Sequence, residues 1–201
     1  MTGSRAPDSS DRGGADSRPL IGVLGSARIG PGDTRHAAAI SLGEALARAG
    51  YAVATGGYGG LMAAVSQGVS EAGGHVVGLT LGSWPELGAN RWVAETVVAD
   101  DWFDRLRRLG ACDVLVALEG GLGTLAELAT AWANLQTDPA ITPPLVLVGP
   151  AWAEIVESIG RLLVVDPSDV ALVRLVPSTE DVPAAVEDLF RSRPTGGRRY
   201  G

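Results

Sequence analysis

The chain reads as an α/β protein built on a mostly parallel sheet with helices on both faces. Three observations predict this class. Short apolar runs alternate with segments of helical periodicity between about residues 20 and 190. One run, Val114 to Leu118, is apolar without interruption, as a strand covered on both faces requires. Two glycine-rich turns, Gly56-Gly57-Tyr58-Gly59-Gly60 and Gly120-Gly121-Leu122-Gly123, each follow an apolar run and open a helical segment. Strand, turn and helix in that order build parallel α/β units.

The elements follow in order. Leu20 to Leu24 is a strand, ended by the turn Gly25-Ser26. Asp33 or Thr34 caps a helix whose stripe is Ala38, Leu42, Ala45, Leu46 and Ala49, and Gly50 stops it. Tyr51 to Ala54 is the second strand, Leu61 to Ala72 the second helix, and His75 to Leu79 the third strand. Residues 82–95, with Trp84 and Trp92, are less regular. Glu95 to Ala99 is a short strand, and Asp100 or Asp101 caps a helix from Trp102 to Leu109. After Val114 to Leu118 come a helix from Thr124 to about Gln136, a strand Leu145 to Val148 and a helix Ala151 to Leu163. A strand Val170 to Val176 and a helix Thr179 to Phe190 close the pattern, with Pro183 in the last helix's tolerant first turn.

Composition bounds the function. The 201 residues suffice for one domain with a core, expected over 19–190, between a leader (1–18) and a tail (191–201) that are polar and arginine-containing. No apolar run is long enough to span a bilayer, and Met1 to Arg18 has no apolar stretch of a secretory signal. A single cysteine, Cys112, makes no internal disulfide; a cytoplasmic protein is expected. The net charge of −7 argues against nucleic acid as a partner. Every basic residue apart from two histidines is arginine. Without lysine there is no Schiff base to pyridoxal phosphate and no Walker-type phosphate loop.

The turns carry the chemistry. A helix start presents unpaired N–H groups and a partial positive charge, and glycine lets backbone approach an anion closely. In Gly120-Gly121-Leu122-Gly123-Thr124, amides near Gly121, Gly123 and Thr124 can share one concavity, with the Thr124 hydroxyl as a further donor. Glu127 follows Thr124 by three positions, so both lie on one helix face. That suits a sugar phosphate, the phosphate on the helix end and the ribose hydroxyls toward Glu127. The same spacing is also that of a capping box, in which Glu127 only bonds the cap residue's backbone; spacing alone leaves both open. Four glycines in five positions at 56–60 point to close ligand approach, against a simple sharp turn. The Gly25-Ser26 turn lacks the spacing of a dinucleotide fingerprint but can offer an amide and a hydroxyl. His36 and His75 read as structural, and Trp84 or Trp92 as packing residues or a stacking surface for a base.

Gly-Gly-Tyr-Gly-Gly-Leu-Met at 56–62 and Gly-Gly-Leu-Gly-Thr-Leu-Ala-Glu at 120–127 together resemble the two motifs of the LOG (Lonely Guy) family, with similarity from about Ile21 to Ile159. The resemblance implies a Rossmann-like three-layer fold and a homodimer. It implies hydrolysis of an AMP-type or cytokinin nucleoside 5′-monophosphate to free base and ribose 5-phosphate, with no metal or redox cofactor. Carried over, Glu127 is the motif glutamate that stabilises charge on the sugar. Gly120, Gly121, Gly123 and Thr124 form the phosphate cradle, and Gly57 and Gly60 the other wall, beside Gly25 and Ser26. Two positions depart. Glu119 stands where the family has proline, and an ungapped alignment puts Asp104 at its arginine and Arg105 at its lysine. A shift of one residue, roughly 100° around a helix, lets Arg105 serve as the catalytic partner of Glu127. A phosphate-ligand-binding protein that does not cleave is the alternative these departures motivate.

Overall fold

Seven strands lie side by side: β1 Leu20–Leu24, β2 Ala52–Thr55, β3 Val76–Leu81, β4 Glu95–Ala99, β5 Val114–Ala117, β6 Leu145–Val148 and β7 Val173–Val176. Their order is β4-β3-β2-β1-β5-β6-β7. Every neighbouring pair is parallel, so the sheet is wholly rather than mostly so. The structure is a computed structural model describing residues 18–192 apart from 85 and 141. The leader and tail expected at the ends fall almost entirely outside those residues.

Side chains alternate across each strand, and the alternation builds two cores. Ile21, Val23, Val53, Val114 and Val116 pack under α1 (Thr34–Arg48), α2 (Leu61–Glu71) and α7 (Val182–Arg191). Leu24, Ala54, Leu115 and Ala117 pack under α3 (Trp102–Gly110), α4 (Leu122–Thr137) and α5 (Pro150–Leu162). Each fully buried leucine or valine contributes about 1.5–3 kcal/mol against exposure. The result is the Rossmann-like three-layer fold: helices, sheet, helices.

The strands wind outward from β1 to β4, then cross back to β5 and wind the other way. That reversal opens a crevice beyond the carboxyl ends of β1 and β5, where parallel sheets bind ligands. Both glycine turns leave carboxyl ends: one follows β2, the other β5.

Some boundaries differ from expectation. The last strand starts at Val173 because Pro167–Val170 forms one helical turn, α6, in which Asp166 and Asp169 make a reciprocal capping box. The closing helix is split: Thr179–Asp181 is a 3-10 turn, capped by Ser178 and Asp181, before α7 begins. α4 begins at Leu122, two residues before the expected Thr124, and this shift matters at the site. No helix among the described residues is long and apolar enough to cross a membrane.

Candidate functional site

The cap of α4 is Gly121, with extended backbone and no side-chain hydrogen bond. The first amides of the helix, at Leu122, Gly123 and Thr124, therefore have no intrahelical acceptor. Nothing lies within 4 Å of where a Cβ would stand on Gly121 or Gly123, so the turn faces open space. Gly120 is different. A Cβ there would fall on the Thr124 side chain, with Cγ2 at 2.7 Å. Only glycine lets Thr124 fold against the turn, where the residue is 5% exposed.

Because α4 starts early, Thr124 is its third residue and not its cap, and Glu127 lies nearly two turns in. The capping box is excluded. Glu127, 7% exposed, bonds instead to Arg105 of α3. Arg105 Nε and Nη2 both donate to Glu127 Oε1, at 3.0 and 2.9 Å. Arg105 Nη1 donates to the Leu79 carbonyl within β3. Arg105 is itself 5% exposed, so two opposite charges sit together in a site nearly closed to water. Burial, the largest influence, holds the Glu127 carboxyl above its usual value, and the Arg105 charge and hydrogen bonds offset only part of that rise. Glu127 Oε2 accepts no hydrogen bond, yet no fully buried side-chain oxygen or nitrogen among the described residues lacks a partner. Oε2 therefore keeps some exposure to solvent, and the same reasoning applies to Thr124 Oγ1. A partly free carboxylate and a free hydroxyl thus flank the helix start.

The first glycine turn does something else. A Cβ on Gly56 would stand 2.7 Å from Arg105 Nη2 and 2.5 Å from Met62 Sδ; that glycine makes room for the guanidinium. Gly57 donates its amide to Thr55 Oγ1 at 3.1 Å and gives its carbonyl to Asn90 N at 2.7 Å and Asn90 Nδ2 at 3.0 Å. Gly60, at φ +65°, is pressed onto Ser26 and Ala27; a Cβ there would lie 2.5 Å from the Ala27 carbonyl carbon. Gly25 packs on Leu61, and Ser26 holds the Glu119 carbonyl and the Leu61 amide through its own backbone, at 3.0 and 2.8 Å. The Ser26 hydroxyl accepts from Arg28 N at 3.0 Å. At 57 and 60 the absence of a side chain makes room for neighbouring protein, the Gly78 and Thr80 side of β3 and the Ser26-Ala27 turn.

Three neighbours escaped the sequence reading. The Tyr58 ring lies under the Arg105 guanidinium at 5.9 Å, and its hydroxyl accepts from Leu81 N at 2.8 Å. Gly56 touches Arg105 across 49 positions of chain, and Arg35 of α1 reaches Glu119 across 84. Gly56 and Tyr58 belong to the glycine turn that the sequence marks, but only the fold brings them to Arg105 and Arg35 to Glu119.

Glu119 does not stand alone before the anion turn. Arg35 Nη1 donates to Glu119 Oε2 at 2.6 Å and Arg35 Nη2 to Asp33 Oδ2 at 2.6 Å. Hydrogen bonds from the Arg35 side chain and amide hold the Asp33 carboxyl down to about 2. The depressed value means this stabilisation is present above the usual carboxylate range and is lost as pH falls toward 2. The cluster is exposed, so salt weakens it. A carboxyl-carbon NMR titration is expected to place Asp33 near 2, and Arg35→Gln to move its midpoint back toward 3.8. Asp104 occupies a similar self-contained network. It caps nothing in the crevice and instead accepts from Arg108 Nε at 2.8 Å and Asp100 N at 3.2 Å.

Known proteins resemble this chain in sequence and in fold. The SLOG cluster4 family model matches residues 18–139, more than half the chain. A probable cytokinin riboside 5′-monophosphate phosphoribohydrolase, LOG4, from Oryza sativa subsp. japonica is 36% identical over 133 residues. That alignment covers 64% of this chain and 58% of the relative, so the chain spans little over half of that protein. The molybdenum cofactor carrier protein MCP from Chlamydomonas reinhardtii superposes with a TM-score of 0.65 at 28% identity, covering 87% of this chain and 99% of that one. The molybdenum cofactor binding protein from Rippkaea orientalis superposes at 0.70, with 24% identity over 88% of this chain and 99% of its own, and shares the fold.

Proposed function

The chain belongs to the SLOG cluster4 family, and from that premise we propose that it is a phosphoribohydrolase acting on AMP-type or cytokinin nucleoside 5′-monophosphates. One observation carries the reading: a buried carboxylate, held through one oxygen by Arg105 with the other open, stands beside a helix start with free amides. The LOG4 relative, whose name states this activity, supports it.

In this reading the phosphate sits on the amides of Leu122, Gly123 and Thr124 and on the Thr124 hydroxyl, with Gly120 and Gly121 giving it room. The ribose lies over Glu127. As the C1′–N bond breaks, positive charge grows on the sugar, and the fixed carboxylate opposes it without having to reorganise. Water adds its oxygen to C1′ as the C1′–N bond breaks, Glu127 Oε2 accepts one of its protons, and that proton passes on to the leaving nitrogen, restoring the carboxylate. Arg105 offsets part of what it costs to hold that charge in a buried site. No step calls for a metal or redox cofactor. Incubation with AMP and with a prenylated AMP is expected to release free base and ribose 5-phosphate; release from neither overturns hydrolysis.

A second reading has an observation of its own. Arg105 puts two of its donors on Glu127, which damps the charge available to a transition state, and a carrier protein is among the similar structures. The protein would then hold a phosphorylated small molecule intact. Tight nucleotide binding by calorimetry without turnover favours this reading over hydrolysis.

The protein is further proposed to act as a homodimer. Phe103, 72% exposed, lines a groove between α3 and α4, and Leu122 is 85% exposed on α4. Large apolar side chains left this exposed suit a subunit interface. Sedimentation is expected to give twice the 20.6 kDa chain mass, and Phe103→Glu to give the monomer.

A further inference from the structure

We propose that Tyr58 and Trp84 form the platform on which a planar heteroaromatic base stacks, at the end of the crevice away from the anion turn. The inference rests on the nucleotide reading above and deepens it by naming the residues that recognise the base.

A continuous line of contacts leads there. Thr124 and Glu127 follow the anion turn along one face of α4. Glu127 binds Arg105, and Arg105 lies over the Tyr58 ring at 5.9 Å. Tyr58 in turn meets Trp84, their ring centroids 6.0 Å apart and tilted by 52°. A ligand anchored by its phosphate at the turn, with its sugar over Glu127, projects its third part along this line toward the aromatic pair.

The pair is built, not incidental. The Tyr58 hydroxyl is tied to the Leu81 amide at 2.8 Å, fixing the ring. Asn90 Nδ2 bridges the carbonyls of Gly57 and Tyr58, both at 3.0 Å, which pins the irregular β3–β4 connection against the first glycine turn. Trp84 leaves β3 just after Leu81 and closes a turn with the Leu81 carbonyl at 3.1 Å. Yet Trp84 remains 44% exposed. A large aromatic ring half in solvent beside a buried charge pair offers a face for stacking, and π-faces accept any planar base. Most other large aromatics are otherwise engaged: Trp152 and Trp132 donate to the Leu118 and Asp169 carbonyls, and Tyr51 stacks on Phe190. Trp92 carries the Arg91 guanidinium at 4.4 Å.

Calorimetry with AMP and with ribose 5-phosphate, the same ligand without its base, separates the possibilities. The wild type is expected to bind AMP more tightly than ribose 5-phosphate. Trp84→Ala and Tyr58→Leu are expected to weaken AMP by roughly tenfold or more and to leave ribose 5-phosphate unchanged. Trp84→Phe is expected to recover most of the loss. Equal losses for both ligands, or no loss for AMP, overturn the platform. A wild type that binds ribose 5-phosphate but gains nothing from the base overturns the platform and leaves the phosphate site standing. A wild type that binds neither overturns both.

Discussion

Glu127→Gln is expected to lower the rate of base release from a nucleoside 5′-monophosphate by about 10²–10³-fold while changing nucleotide affinity little. The amide keeps the shape of the carboxyl and can still accept from Arg105 Nε and Nη2, which now bond Oε1 at 3.0 and 2.9 Å. What disappears is the negative charge opposite the developing cation and the ability to take a proton from water. A ground-state contact alone cannot reproduce that pattern, because losing it raises KM and spares kcat. Steady-state kinetics beside a direct binding measurement decides the point. Unchanged kcat in the variant removes Glu127 from the chemistry.

Arg105 is expected to show its largest effect in stability. Removing one member of a buried ion pair leaves the other charge without compensation, at about 3–5 kcal/mol. For a domain of this size that corresponds to a fall of roughly 10 °C in Tm. Arg105→Met is therefore expected to unfold markedly earlier than the wild type, and Arg105→Met with Glu127→Leu to recover most of the difference. The direction with pH is also fixed. Without the guanidinium, only burial acts on the Glu127 carboxyl, which it raises above 4.5. A raised folded value means the folded state binds the proton more tightly, so stability is greatest in acid and falls as pH rises through that value. The single variant is expected to be more stable in mildly acidic than in mildly alkaline buffer. Thermal melts at both pH values check this; equal melting of the single variant and the wild type would show that the pair is not buried together.

Much of the architecture was legible because it rests on local patterns. Val114 to Leu118 announced a central strand, and the stripe from Leu42 to Leu46 announced the helix above it. Local competition explains what was not. Val170 has strand propensity, yet Asp166 and Asp169 satisfy each other's backbone and wind the segment into a turn of helix. The helix after β5 began at Leu122 because its cap needs no side chain, only an extended Gly121. That two-residue difference separates a capping glutamate from one turned into the crevice, so the site's central ambiguity lay beyond spacing rules. LOG-family likeness marked Glu127, and the relatives bear out that family. Tyr58 and Gly56 at Arg105, and Arg35 at Glu119, are long-range encounters that no window of sequence displays.

The placement of β1 has a consequence for how the chain is made. Its first partner, β2, follows closely, but its second, β5, arrives late: Leu20 N is held by Asp113 Oδ2, 93 positions away. While the polypeptide emerges from the ribosome, four strands can assemble with one long hydrophobic border still bare. Such a border is a template for pairing with other chains. The stretch from Ala99, where the fourth strand ends, to Val114, where β5 begins, is therefore the interval over which that border waits for its partner.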